Sequence, residues 1–213
     1  MRVTTTTLEM LAPPALPARP LPDDVRLERA DGITPEYARF LYGLVGGPWH
    51  WTDRLGWSRQ QWLDDLAVPG SEVWVLTGEG VPLGYVQLQP QPLVQTGADA
   101  SGHAGADAPG HASADTPVAP QVEVRYFGLA EQAIGRGLGG RLLEHAVAAA
   151  WSLPQRAGLA PAARVWVHTC SLDGPAALAN YQARGFVVCG TEVAEQTVAE
   201  QPLGAWASTG GPA

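Results

Sequence analysis

Four glycines, Gly135, Gly137, Gly139 and Gly140, fall within the run AIGRGLGGRLLEHA, residues 133 to 146, which then continues in helical periodicity. A loop of this composition feeding a helix is suited to holding an anion. The first N–H groups of a helix have no intrahelical partner, the helix dipole adds partial positive charge, and glycines remove the Cβ atoms that keep a phosphate off the main chain. Arg136 and Arg141 add formal charge beside it. Gly135, Gly137 and Gly140 also satisfy the GxGxxG spacing of a dinucleotide fold, which needs repeated strand-helix-strand units and an acidic residue closing the second strand. Only about 70 residues follow the loop and the next strand ends VHTC, without a carboxylate, which disfavours NAD.

Composition removes other chemistries. All thirteen cationic side chains are Arg, which excludes a lysine Schiff base and a GKS or GKT phosphate loop. A formal charge of −8 with no basic run argues against nucleic acid as a partner. Cys170 and Cys189 fit no metal spacing and no disulfide framework, which suits a reducing, cytoplasmic compartment. The opening MRVTTTTLEMLAPPALPARPLP is interrupted by Glu9 and five prolines, so it does not read as a signal peptide, and no apolar span is long enough to cross a membrane.

The elements that must position the loop follow from periodicity and punctuation. Residues 1–24 read as an edge strand and a proline-rich connector, residues 25–195 as one domain, and residues 196–213 as a small, polar, frayed tail. Within the domain, VRLERA alternates as a strand. Thr34 and Pro35 open a helix that Gly46 and Gly47 end, and Ser58 opens a second. EVWVLTGEGVPLGYVQLQ reads as a hairpin about a Gly-Glu-Gly turn. Residues 90–120 contain the near repeat SGHAGADA and PGHASADT and lack large apolar residues, so they read as a disordered insertion. The pairs His103/Asp107 and His111/Asp115 are incidental to that tract, and no metal site is expected. QVEVRYFGL is a strand, residues 137–151 a helix with Leu138, Leu142 and Ala146 on one face, ARVWVHT a strand, GPAALANYQARGF a short helix closed by Gly185, and FVVCGTEV a last strand.

With these residues in place, YFGLAEQAIGRGLGGRLL followed by ALANYQARGF resembles the GNAT superfamily of acetyl-CoA-dependent N-acetyltransferases. Gly137 and Gly139 match the glycines of the family's loop, and Tyr181, Gly185 and Phe186 match its later helix with the right internal spacing. The likeness covers roughly residues 72 to 192 with the insertion skipped. Ile134 stands where the family has Arg or Gln, Glu131 where it often has Pro, and Asn180 where it has an aliphatic residue. The Asn that often opens the later helix is replaced by Gly174, with Asp173 one residue earlier. Pyrophosphate binding by backbone N–H survives these departures; a side-chain contact from position 134 does not.

The resemblance implies an α+β fold in which a mixed, mostly antiparallel sheet splays between the strands at 121–129 and 163–169, flanked by helices in three α/β/α layers. It implies acetyl-CoA as co-substrate, held by Leu129, Ile134, Gly135, Arg136, Gly137, Leu138, Gly139, Gly140 and Asp173. It implies direct transfer of the acetyl group to a primary amine of a small molecule or peptide in a ternary complex. An alkylammonium loses its proton near pH ~10, so a base is useful. Glu123 is the candidate, with His50 as the alternative, and strand alternation is expected to put Glu123, Arg125, Phe127 and Leu129 on one face. The resemblance assigns Tyr181 as the acid that protonates the departing thiolate, and the backbone N–H near Leu129 as the group that holds the thioester oxygen. Trp49, His50, Trp51 and Trp57 fall within nine residues and are candidates to line the amine site, either caging the substrate or pinning helices to the sheet. His168 reads as a satisfied core residue. The runner-up reading is a non-catalytic acyl-CoA-binding regulatory module; the sequence does not fix the oligomeric state, and a homodimer is left open.

Overall fold

The computed structural model describes residues 1–91 and 120–211; most of the insertion expected at 90–120, including both His/Asp pairs, lies outside the described residues. The chain runs β1 (Arg2–Met10), β2 (Val25–Arg29), α1 (Pro35–Gly46), α2 (Arg59–Leu66), β3 (Glu72–Gly78), β4 (Val81–Gln91), β5 (Gln121–Leu129), α3 (Leu138–Arg156), β6 (Arg164–Cys170), α4 (Ala177–Gln182), β7 (Val187–Glu195) and α5 (Gly204–Ser208). The strands form one mixed, mostly antiparallel sheet in the order β2-β3-β4-β5-β6-β1-β7, with β5 and β6 parallel.

Local chemistry explains the element boundaries. Thr34 caps α1 by accepting from the Tyr37 N–H, with Pro35 in the first turn. Ser58 and Gln61 close a reciprocal capping box on α2. Glu79 and Gly80 both have positive φ, 51° and 81°, the requirement of the tight turn that joins β3 to β4. Helix α3 runs on to Arg156, past the expected end at 151, with Pro154 inside it; the Arg156 guanidinium donates to the Ala149 carbonyl in that last stretch.

Two apolar layers sandwich the sheet. On one side Leu138, Leu142, Leu143, Ala146, Val147, Ala150 and Leu153 of α3 pack with Val86, Leu88, Val122, Val124, Val165 and Val167, joined by Tyr181 and Phe186. On the other, Ala38, Leu41, Tyr42, Val45 and Trp62 of α1 and α2 cover Val73, Val75, Tyr85 and Tyr126. Each fully buried Leu or Val contributes about 1.5–3 kcal/mol. The layers give the sheet two distinct sides, an α3 face and an α1 face.

Three features depart from the sequence reading. The first strand is interior: β1 pairs with β6 through Thr5–Cys170 to Met10–Val165 and with β7 on its other edge, because a run of β-branched threonines bonds well on both sides. Alternation along β5 is broken: Gln87 pairs with Tyr126 but Leu88 with Val124, so Arg125 is an extra, bulged residue. Phe127 and Leu129 therefore pack in the α3-face core with Val122 and Val124, opposite Glu123. The tail is built rather than frayed, with α5 seated on α1.

Candidate functional site

The sheet opens at Glu123. Strands β5 and β6 are paired only at Gln121–Arg164, Val122–Val165 and Glu123–Trp166. Beyond that point β5 stays with β4 as far as Leu129, and β6 stays with β1 as far as Cys170. Residues 124–129 and 167–170 thus border a gap with strand edges facing it, a place where amide groups of a ligand can complete the unmade pairing.

The glycine loop lies at the α3-face side of this gap. Gly135 and Gly137 have φ of 83° and 72°, and a Cβ on either would meet nothing, so backbone conformation rather than crowding calls for glycine. Gly137 is the N-cap of α3 and offers no side-chain cap, which leaves first-turn N–H groups of a 19-residue helix without a side-chain acceptor. Ile134 is half exposed and Leu138 is buried in the core. A Cβ on Gly139 would rest 3.6 Å from the Leu129 side chain. Gly140 makes room for a neighbour, since the Arg184 guanidinium occupies the space where its Cβ would lie. The two arginines expected beside an anion are tied to the connector, Arg136 by Asp24 at 3.0 Å and Arg141 by the Pro20 carbonyl. What the loop offers a phosphate is main chain.

Glu123 sits on the opposite, α1 face, 4% exposed. Its Oε2 accepts from Gln91 Nε2 at 2.6 Å and lies 3.5 Å from Arg125 Nη1, and its Oε1 lies 3.8 Å from His168 Nδ1. Burial raises its pKa above the ordinary carboxylate value, and Arg125 and His168 pull the other way. Arg125 also pairs with Asp65 at 2.9 Å and donates to Gln89, while Gln87 donates to Asp65. His168 is half exposed beside the carboxylate, not a satisfied core residue as the sequence suggested. The Asp65–Arg125–Gln89 support was missed, though its signal is legible: QLQPQ puts Gln87, Gln89 and Gln91 at period two on a strand whose other face is core.

Tyr181 is buried on the α3 face, its ring 5.8 Å from Phe127 and 5.9 Å from Phe186. Burial, then the charge of Asp173, pushes its phenol well above the ordinary value. The Asp173 carboxylate accepts from Thr169 Oγ1 at 2.7 Å, the Cys170 N–H at 2.9 Å and Trp51 Nε1 at 3.3 Å, so it fixes the turn after β6 and anchors the α1–α2 connection. Trp51 is wedged against Tyr42 and Tyr126, Trp57 lies edge-on to Trp62 with the Arg54 guanidinium above it, and Trp49 rests on Gly174. The tryptophans therefore pin this connection to the sheet. His50 is half-buried in a left-handed turn at φ 61°.

Among the described residues no cluster of His, Cys, Asp or Glu is arranged to hold a metal ion, both cysteines are free, and no helix is long and apolar enough to cross a membrane. No family model and no curated protein matches the chain. Its structure is similar to that of a GCN5-related N-acetyltransferase from Sphaerobacter thermophilus, with a TM-score of 0.52, 16% identity, and coverage of 90% of this chain and 50% of that one. It is also similar to a tandem GNAT protein from the clavulanic acid biosynthesis pathway, with a TM-score of 0.50, 15% identity, and coverage of 90% and 53%. The chain spans about half the length of these two proteins.

Proposed function

We propose that this chain, which has the fold of the GCN5-related N-acetyltransferases, moves an acetyl group from acetyl-CoA to a primary amine of a small molecule or peptide, directly and in a ternary complex. The observation that carries the reading is the gap between β5 and β6, with uncapped helix N–H groups at its α3-face side and a buried carboxylate of raised pKa on its α1 face. Acetyl-CoA supplies the activated thioester. Its pyrophosphate fits main-chain N–H groups at Gly135, Gly137, Leu138 and Gly139, with Ile134 and Arg136 flanking, and its pantetheine amides suit the free edge of β5 up to Leu129. Gly140 and Asp173 act as supports, the first by admitting Arg184 and the second by fixing Trp51 and the β6 turn.

On the amine side Glu123 receives the ammonium proton. Its raised pKa makes it a stronger base than a solvated carboxylate, and Gln91, Arg125 and His168 hold it in one orientation. His168, half exposed and 3.8 Å from the carboxylate, is the group that would pass that proton on to water. Tyr181 stays protonated at every working pH, so a phenolic O–H is always there to donate to the departing sulfur. The Trp49, Trp51 and Trp57 connection walls the amine side, and His50 sits in that wall. Two free cysteines suit a cytoplasmic enzyme.

The test is thiol release from acetyl-CoA across amines, amino acids, polyamines and peptides. Release with one amine class, reduced about 10²–10⁴-fold in Tyr181→Phe, is expected if the tyrosine is the acid. Tight acetyl-CoA binding with no release from any acceptor, unaffected by Tyr181→Phe, would overturn the enzymatic reading in favour of a binding module.

A further inference from the structure

The sheet edge and the amine-side helices are bridged by the C-terminal segment. At one end Gln196, which follows β7, is bonded to Met1 in both directions, its N–H to the Met1 carbonyl and its carbonyl to the Met1 amino group at 2.7 Å, which fixes it beside the start of β1. At the other end α5 is seated on α1, which covers β4 and β5. Strands β7 and β1 lie on the β6 side of the gap and α1 covers the β5 side, so residues 196–203 connect anchors on its two sides.

The seat of α5 is made of paired small residues. A Cβ on Gly43 would come 2.5 Å from the Ser208 carbonyl oxygen, and one on Gly47 would come 2.6 Å from the Gly204 carbonyl and 2.7 Å from Ser208 Oγ. Gly43 and Gly47 on one side and Gly204 and Ser208 on the other share a spacing of four, so the backbones approach as closely as any side chain would forbid. Ser208 is 1% exposed and its hydroxyl has no hydrogen-bond partner. A buried hydroxyl left unpaired works against docking. The contact is specific in shape and weakened by one group, the combination expected of a segment that opens.

We propose that residues 196–211 are a strap across the amine entrance, and that the Gly43–Gly47 seat for Gly204 and Ser208 sets how broad an acceptor passes. The proposal rests on the acetyl-transfer reading for the identity of the acceptor. The strap itself can be read without turnover. Trp166, His168 and Cys170 alternate onto the α1 face of β6, the rings of Trp166 and His168 being 6.1 Å apart, so the Cys170 thiol reports on access to the gap.

The experiment compares the full chain with Gly43→Ala, Gly47→Ala and Ser208→Ala, all carrying Cys189→Ser so that Cys170 is the only thiol. Gly43 lies within α1 and Gly47 follows it at φ −55°, ψ −40°, a backbone that alanine adopts readily, so the glycine variants perturb the seat and not the fold. Rates of Cys170 labelling are measured with a small methanethiosulfonate and a pyrenyl maleimide, alongside deuterium uptake by the amides of Thr209, Gly210 and Gly211. Those amides are bonded within α5, to Ala205, Ala207 and Trp206. The glycine variants are expected to raise uptake at least tenfold and the bulky-to-small labelling ratio at least fivefold; Ser208→Ala is expected to lower both. With acetyl-CoA, kcat/KM for a nonapeptide amine relative to ethylamine should follow the same order, while KM for acetyl-CoA stays put. Faster uptake with an unchanged labelling ratio would show that α5 docks without guarding the gap and would overturn the proposal, as would no change in uptake. Absence of turnover by the unaltered chain would instead sink the acetyl-transfer reading, and the labelling ratio would then decide the strap alone.

Discussion

Glu123→Gln separates chemistry from architecture because of how the carboxylate is held. The amide keeps an oxygen able to accept from Gln91 Nε2, and Arg125 keeps Asp65 at 2.9 Å and Gln89 at 3.0 Å, so no cation is left buried without a counter-charge. The expected stability change is therefore about 1 kcal/mol, the scale of one net hydrogen bond. Activity should fall about 10²–10⁴-fold, roughly 3–5 kcal/mol in the barrier, if the carboxylate is the base. The sign of the pH effects is fixed by the raised pKa. In the native enzyme, kcat/KM should fall on the acid side at a pH above the ordinary glutamate value, and that limb should vanish in the variant. In the folding equilibrium a carboxyl with a raised pKa favours folding fully below its unfolded value and loses that contribution as pH rises through the folded one. The wild type should accordingly lose stability relative to Glu123→Gln over that window. Thiol release from pH 5 to 9 and urea melts at each pH provide both readings. A rate loss under tenfold, or an acid limb that persists in the variant, would refute the assignment.

Other perturbations address the frame. Arg125→Met strands two buried carboxylates, Glu123 and Asp65, and should cost about 3–5 kcal/mol in urea melts. Gly137→Ala places a Cβ on a residue at φ 72° and should cost about 1–2 kcal/mol while weakening coenzyme A binding by calorimetry. Glu144 is held down to about 2, first by its hydrogen bond from Arg19. Its depressed pKa contributes stability that is present above the unfolded carboxylate value and lost as pH falls from there toward 2. The difference in melting temperature between wild type and Glu144→Gln should shrink across that interval.

The parts legible in the sequence are those whose signals are local. Thr34, Ser58, the Glu79–Gly80 turn and Gly185 at φ 92° announce themselves through capping and positive-φ chemistry. The splay of the sheet was legible through resemblance. What was hidden is relational. Nothing near Arg125 signals a bulge, because the extra residue exists only in register with Gln87 and Leu88 of β4. Arg136 and Arg141 look free beside the loop until Asp24 and Pro20, more than a hundred positions earlier, run along α3 to meet them. The tail looks like a frayed end because its apolar content is low; its packing comes from glycines, which carry no hydrophobic signal.

The place of β1 bears on how the molecule assembles. Thr5 pairs with Cys170 and Glu192, so β1 finds both of its partners only in segments made far later in the sequence. Until then β6 and β7 have no bond between them, and one arm of the gap does not exist as a sheet. Closing so long a loop before any pairing rewards it slows folding. The half of the site formed by β6, including His168 and Cys170, should therefore be the last to gain amide protection in a refolding pulse. Substitutions in VTTTTLEM should slow that step without touching the α1 layer.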